Sequence, residues 1–255
     1  MFYNIIGDIM KKIVVGILPQ MKLNTDDNPY NDKYEFLDLY SKRIIECGAV
    51  PIGICLNNGN LDYSSLEICD AFLLPGGNRV DKYYYQTIEY AIKNNKPLLG
   101  ICLGLEGMSI FSMVLENMQE LTEKSFYETY TKLKEENEGT LLEKIVSPNI
   151  HGDVKVNYNN VDEARHKIEI IDKDSILYEI FKKDKLNVVS LHSYNPKWIG
   201  KHFKITAVAV DGVVEAIEYK DKNYFIVGVH FHPEWDDDKL LFERLIEEGE
   251  KRNNG

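Results

Sequence analysis

The 255-residue sequence predicts an α/β fold in a single domain, with a parallel sheet in the first half and antiparallel strands added in the second. Three observations carry this. Short apolar runs near 13–18, 50–56, 71–74 and 97–101 are separated by stretches with helical spacing, and strands alternating with helices imply parallel pairing. After residue 153 the pattern changes to alternating apolar and polar residues with short turns, as in strands exposed on one face. No linker divides the halves, and 44% hydrophobic residues are enough for one large core.

Taken in order, residues 1–9 carry no clear pattern, and Met10-Lys11-Lys12 leads into a first buried strand from about Ile13. An N-terminal extension of 1–9 and a domain of 10–255 are therefore expected. The polar stretch 20–31 is expected to be a loop. Tyr34, Leu37, Tyr40, Ile44 and Cys47 fall on one helical face, and Gly48 suits the residue just past the helix end. Residues 50–56 form a second strand, 64–68 a short helical piece, 71–74 a third strand and 81–94 a helix with Tyr84, Ile88 and Ala91 inward. The acidic stretch 115–145 reads as solvated helix with a core stripe that includes Leu121, Phe126, Tyr130, Leu133 and Leu141. Half-exposed strands are expected at 154–158, 167–170, 186–191, 203–210, 213–219 and 224–231, with Asp211-Gly212 as a hairpin turn and an amphipathic helix at 237–248.

A formal net charge of −11 argues against nucleic-acid and anionic-membrane surfaces, which need clustered positive charge. Small molecules or proteins are the expected partners. There is no apolar run of about 20 residues and no signal-peptide pattern, so a cytoplasmic location is expected. The four cysteines, Cys47, Cys55, Cys69 and Cys102, have no Cys-x-x-Cys spacing and suggest no structural zinc site.

The stretch around which the chain is organised is 96–106. Pro97 can open a strand because it has no ladder N–H to give, and Leu98, Leu99 and Ile101 suit a strand buried on both faces. Gly100 and Gly104 bracket Cys102, so a strained strand-to-helix turn can lift the thiol above the sheet. The next residues have helical spacing. A helix starting at Leu103 would favour the thiolate and aim the Leu103 N–H at an oxyanion. The alternative is a buried cysteine in a tight turn. Pro75-Gly76-Gly77 ends the third strand, where ligands bind in open α/β sheets, and its bare backbone can approach an anion. Near the C-terminus, 224–231 delivers His230-Phe-His232-Pro-Glu234. In extended chain His232 and Glu234 share a face, which pairs a base with a carboxylate that fixes its tautomer. His230 shares that face and is a competing base.

With Leu-Leu-Pro-Gly-Gly at 73–77, Gly-Ile-Cys-Leu-Gly at 100–104 and His-Pro-Glu at 232–234, in that order, the chain resembles the class I glutamine amidotransferases. Among them it is most similar to the stand-alone γ-glutamyl hydrolases of the γ-glutamyl-γ-aminobutyrate hydrolase (peptidase C26) type. Val189-Ser-Leu-His192 resembles their Ser-x-His segment, and 207–218 resembles their hairpin. The resemblance implies a flavodoxin-like three-layer α/β/α fold with an antiparallel addition. It implies Cys102 as nucleophile, His232 as base and acid, Glu234 as its orienter, and Gly77 and Leu103 as oxyanion donors. Gly76, Glu106, Ser190 and His192 are the implied substrate-binding residues. The implied reaction is hydrolysis of a small γ-glutamyl amide through a thioester, without cofactor or metal. A glutaminase subunit serving a separate synthetase and a catalytically silent binding protein are the alternatives, and self-association is left open. Three departures stand out: Glu106 replaces the family's glutamine, Ser190-Leu-His192-Ser193-Tyr194 departs from Ser-x-His-His-Gln, and the usual Gly-Gly-Thr-Leu after the elbow helix is missing. A carboxylate at 106 should attract a substrate ammonium and repel a carboxylate.

Overall fold

Strands and helices alternate through the first half as its apolar runs require. The computed structural model describes residues 12–22, 33–57, 59–146, 151–152 and 155–253. Strand β1 (Val14–Ile17) is followed by a small hairpin of β2 (Gln20–Lys22) and β3 (Lys33–Glu35), helix α1 (Asp38–Glu46) and strand β4 (Val50–Gly53). A second small hairpin, β5 (Leu56–Asn57) and β6 (Asn60–Leu61), precedes α2 (Tyr63–Glu67), β7 (Ala71–Leu74), α3 (Lys82–Lys93), β8 (Leu98–Ile101) and α4 (Leu103–Asn117). β4, β1, β7 and β8 pair in parallel in that order. Every residue of β7 and β8 is buried, which is why these strands do not alternate.

The chain continues through α5 (Glu123–Glu136), β9 (Leu142–Lys144), β10 (Arg165–Ile170), α6 (Ile176–Phe181) and β11 (Lys185–Val189). It ends through β12 (Tyr194–Pro196), β13 (Phe203–Ala209), β14 (Val214–Tyr219), β15 (Ile226–Val229) and α7 (Leu240–Asn253). β15 runs parallel to β8 and antiparallel to β14, so it joins both halves into one nine-stranded sheet, β11-β10-β13-β14-β15-β8-β7-β1-β4. One face of this sheet packs Phe72 and Leu98 against Tyr84, Met108, Phe111 and Phe126 from α3, α4 and α5. The other packs Val15, Leu73 and Val227 against Tyr40, Ile44, Leu177 and Phe242 from α1, α6 and α7. The result is the flavodoxin-like three-layer α/β/α arrangement, with antiparallel strands added at one edge.

Several local expectations change. The expected loop at 20–31 begins as strand, because Gln20–Lys22 pairs with β3 and Lys22 Nζ meets Glu35 Oε1 at 2.7 Å; residues 23–32 lie outside the described ones. Tyr34 therefore belongs to β3, while Tyr40 and Ile44 keep the buried face of α1 and Gly48 follows it at φ 84°. The 115–145 stretch divides. α4 ends at Asn117, Thr122 Oγ1 caps α5 by accepting from Ser125 N at 3.1 Å, and β9 pairs with β12 instead of extending the helix. Phe126 and Leu133 form its core stripe, whereas Leu121 is exposed. The strand expected at 154–158 is absent among the described residues 155–158. There Asn160 accepts from Asn157 N at 2.7 Å and donates to Lys155 O at 2.9 Å, so its side chain closes a turn in place of a ladder. The extension 1–9 lies outside the described residues.

Helix α7 supplies an acid-sensitive clamp. Burial opposes charge on Glu248, but ion pairs with Lys251 (2.8 Å), Arg252 (2.7 Å) and Arg244 (2.9 Å) outweigh it and hold the carboxyl at about 2. Its pKa is depressed in the folded state, so its stabilisation is complete above the ordinary carboxylate pKa and disappears as pH falls from there to about 2. In urea melts at pH 7 and pH 3, Glu248→Gln should be less stable than wild type at pH 7, with the gap narrowing at pH 3. A gap independent of pH would show that the ion pairs contribute nothing.

Candidate active site

Strand β8 carries the chain upward to Cys102, where the backbone turns to φ 52°, ψ −105° and α4 begins at the next residue. A non-glycine residue here costs about 1–3 kcal/mol, and the surroundings must hold it. They do so through backbone. Cys102 N donates to Val229 O at 2.8 Å, tying the turn to β15. Gly104 must lack a side chain, because a Cβ there would meet the Leu74 carbonyl oxygen at 2.5 Å. The thiol side of the turn is only 7% exposed, and the first-turn N–H of Leu103 has no acceptor within its own helix.

β15 ends at Val229, and the chain beyond it is pinned where His230 N donates to Glu215 O and His232 N to Val189 O, both at 2.8 Å. Pro233–Trp235 then closes a 3-10 turn with the proline at its start. This turn, and not the extended chain read from the sequence, brings Glu234 back so that its Oε1 lies 2.6 Å from His232 Nδ1. The pairing leaves Nε2 without a hydrogen-bond partner. A Cβ built on Gly76 would lie 3.1 Å from His232 Cε1 and 3.3 Å from Cys102 Cβ, so imidazole, thiol and loop backbone converge on one point. Burial opposes a charge on His232, but Glu234 and the sulfur of Cys102 outweigh it and raise its pKa well above the usual histidine range.

Two tyrosines shape the loop at 75–77. Gly76 N donates to Tyr40 Oη at 3.0 Å, and Tyr84 Oη donates to Pro75 O at 3.1 Å. The Gln20 amide lies where a side chain on Gly77 would go, and its Nε2 reaches Tyr84 Oη at 2.5 Å. The Gly76 N–H is thus engaged by Tyr40. Tyr40 also lies against Glu234. Burial first, and then that carboxylate, push its hydroxyl well above the ordinary tyrosine range, so it stays protonated. Arg43, one helical turn further along α1, donates from Nε to Glu234 O at 2.9 Å. Sequence reasoning missed these two supports: Tyr40 read only as part of an apolar face, and nothing distinguished Arg43 from a surface cation.

Glu106 is 6% exposed and lines a cleft of about 280 Å³ beside Leu103, together with Asn78, Arg79 and Tyr194. Its Oε1 lies 3.4 Å from His230 Nε2, and His230 Nδ1 lies 2.8 Å from Val214 O. The competing histidine is thus engaged away from Cys102. Ser190 and His192, expected beside the substrate, lie behind this cleft and do not line it. Ser190 Oγ donates to His151 O at 3.1 Å, and the His192 ring stacks on His230 at 3.7 Å.

A cysteine on a strained strand-to-helix turn, above a sheet that delivers a His–carboxylate pair from a neighbouring strand, is the design of a class I glutamine amidotransferase domain. Known proteins agree. Residues 81–234 match the Peptidase C26 family, and the chain belongs to that family. It is 30% identical to protein NtpR of Enterococcus hirae, over 92% of this chain and 98% of that protein. It is 25% identical to RP404, a glutamine amidotransferase-like protein of Rickettsia prowazekii, over 92% of this chain and 97% of that one. The glutaminase domain of Trypanosoma brucei CTPS, solved with bound acivicin, superposes with a TM-score of 0.64 at 17% identity, covering 94% of each chain. The protein is an enzyme of the amidotransferase-like hydrolase type. Among the described residues no helix is long and apolar enough to cross a membrane.

Proposed function

We propose that the enzyme hydrolyses a γ-glutamyl amide of a small molecule through a thioester on Cys102, releasing glutamate and an amine. The observation that carries this reading is the 2.6 Å contact between His232 Nδ1 and Glu234, which leaves Nε2 as the nitrogen facing the elbow. His232 takes and holds the thiol proton, and the sulfur then attacks the γ-carbonyl carbon. The oxyanion is received by the N–H groups of Gly77 and Leu103. When the C–N bond breaks, His232 gives that proton to the departing amine. Water then attacks the thioester with His232 as base, and glutamate leaves with the thiol restored. Incubation with a panel of γ-glutamyl amides and glutamine, with mass spectrometry for glutamate and for the acylated chain, tests the proposal. Absence of both products across the panel overturns it.

Glu106 bears on the choice of substrate. Its carboxylate in the cleft accepts hydrogen bonds but donates none, so it favours a substrate ammonium and disfavours a nearby carboxylate. A compound with a masked or displaced α-carboxylate should be cleaved better than free glutamine. Glu106→Gln should move the kcat/KM ratio toward glutamine by roughly ten- to a hundredfold, the effect of about 1–3 kcal/mol for a mismatched buried polar group. An unchanged ratio would remove Glu106 from selection.

A further inference from the structure

Behind the cleft, four ionisable side chains from separate segments meet around one buried oxygen. Glu215 on β14 is fully buried, and its Oε1 lies 3.4 Å from His151 Nδ1, 3.3 Å from His166 Nε2 and 3.4 Å from His192 Nε2. All four residues are more than nine-tenths buried. None of these three nitrogens, and neither oxygen of Glu215, has a hydrogen-bond partner. A charge-assisted bond between imidazolium and carboxylate typically closes to about 2.7–2.9 Å, and these contacts are longer. They match another arrangement. Ligands held about 2.05 Å from a tetrahedral zinc ion sit about 3.35 Å apart, the edge of that tetrahedron.

The outer ring nitrogens of His151 and His192 support the same reading. His151 Nε2 lies 3.0 Å from Asp211 Oδ2, and His192 Nδ1 lies 3.3 Å from Tyr194 O. Histidines that bind metals are commonly oriented by such carboxylate and carbonyl partners, which leave the lone pair of the other nitrogen directed at the ion. One donor atom each from His151, His192 and Glu215 all lie within 4.8 Å of one another. We propose that His151, His192 and Glu215 bind a divalent transition-metal ion of the zinc class.

Such an ion would tie the segment at His151 to β14 and the segment after β11. Its role is positional. The His192 ring stacks on His230 at 3.7 Å and 17°, and His230 in turn faces Glu106 in the cleft, so the ion would fix the wall behind the substrate without touching Cys102. The inference does not depend on the γ-glutamyl reading. The sequence does not reveal it because these ligands are spread from position 151 to 215 with no short metal-binding spacing.

The test uses the full chain without a polyhistidine tag, stripped with EDTA and titrated with Zn²⁺ and then Co²⁺. One ion per chain is expected, with a rise in Tm on adding Zn²⁺ and the intense visible absorption of tetrahedral Co²⁺. Glu215→Gln and His192→Ala should weaken binding at least a hundredfold. Asp211→Asn, which keeps all the ligands, should weaken it roughly ten- to a hundredfold. Cys102→Ala should bind like wild type. Circular dichroism establishes that each variant is folded, and if Glu215→Gln is not, Asp211→Asn decides. The proposal is overturned by absence of stoichiometric binding, by wild-type affinity in the folded ligand variants, or by loss of binding in Cys102→Ala.

Discussion

Cys102→Ala should leave a folded protein without turnover, with kcat/KM for the best γ-glutamyl amide lower by at least about 10⁴-fold. The sulfur forms the acyl bond in the proposed reaction, and no other side chain in the described site can take that place. The fold should survive, because alanine meets the same strain at φ 52° that cysteine does and the turn is held by backbone, through Cys102 N to Val229 O. The other cysteines should matter for stability at most. Burial pushes Cys47 up to about 11 and Cys69 up to about 12, so both remain unreactive thiols, and Cys55 lies exposed on the surface. Glutamate release followed by mass spectrometry, with Tm as the control for folding, measures this. A Cys102→Ala protein that still forms an acyl-enzyme or turns over would end the nucleophile assignment.

His232→Ala should be nearly as damaging, and Glu234→Gln milder, with a loss of about 10²- to 10⁴-fold. The difference follows from the 2.6 Å contact: removing the ring removes the base, while removing the carboxylate charge leaves a base that is less well oriented. The pH profile separates the two roles. Because Glu234 helps to raise the His232 pKa, Glu234→Gln should move the alkaline limb of kcat/KM to lower pH. His230→Ala should retain turnover, since His230 faces Glu106 and Val214 O. If His230→Ala proves inactive and His232→Ala active, the base has been assigned to the wrong histidine.

Local pattern determined much of this protein. Unbroken apolar runs specified β7 and β8, because a strand buried on both faces has no polar side to show. Gly100 and Gly104 around Cys102 announced the elbow, because only residues without side chains allow a helix to start so close to the sheet. The distances between chain segments were decided elsewhere. That His232 and not His230 points toward Cys102 depends on the 3-10 turn at Pro233–Trp235 and on anchors from α1 and β11, which no short window contains. Tyr40, Arg43 and the His151–His192–Glu215 cluster likewise acquire meaning only when distant segments are packed together. Periodicity records which face of an element is buried, whereas a site depends on which buried faces meet, and the nine-stranded sheet settles that.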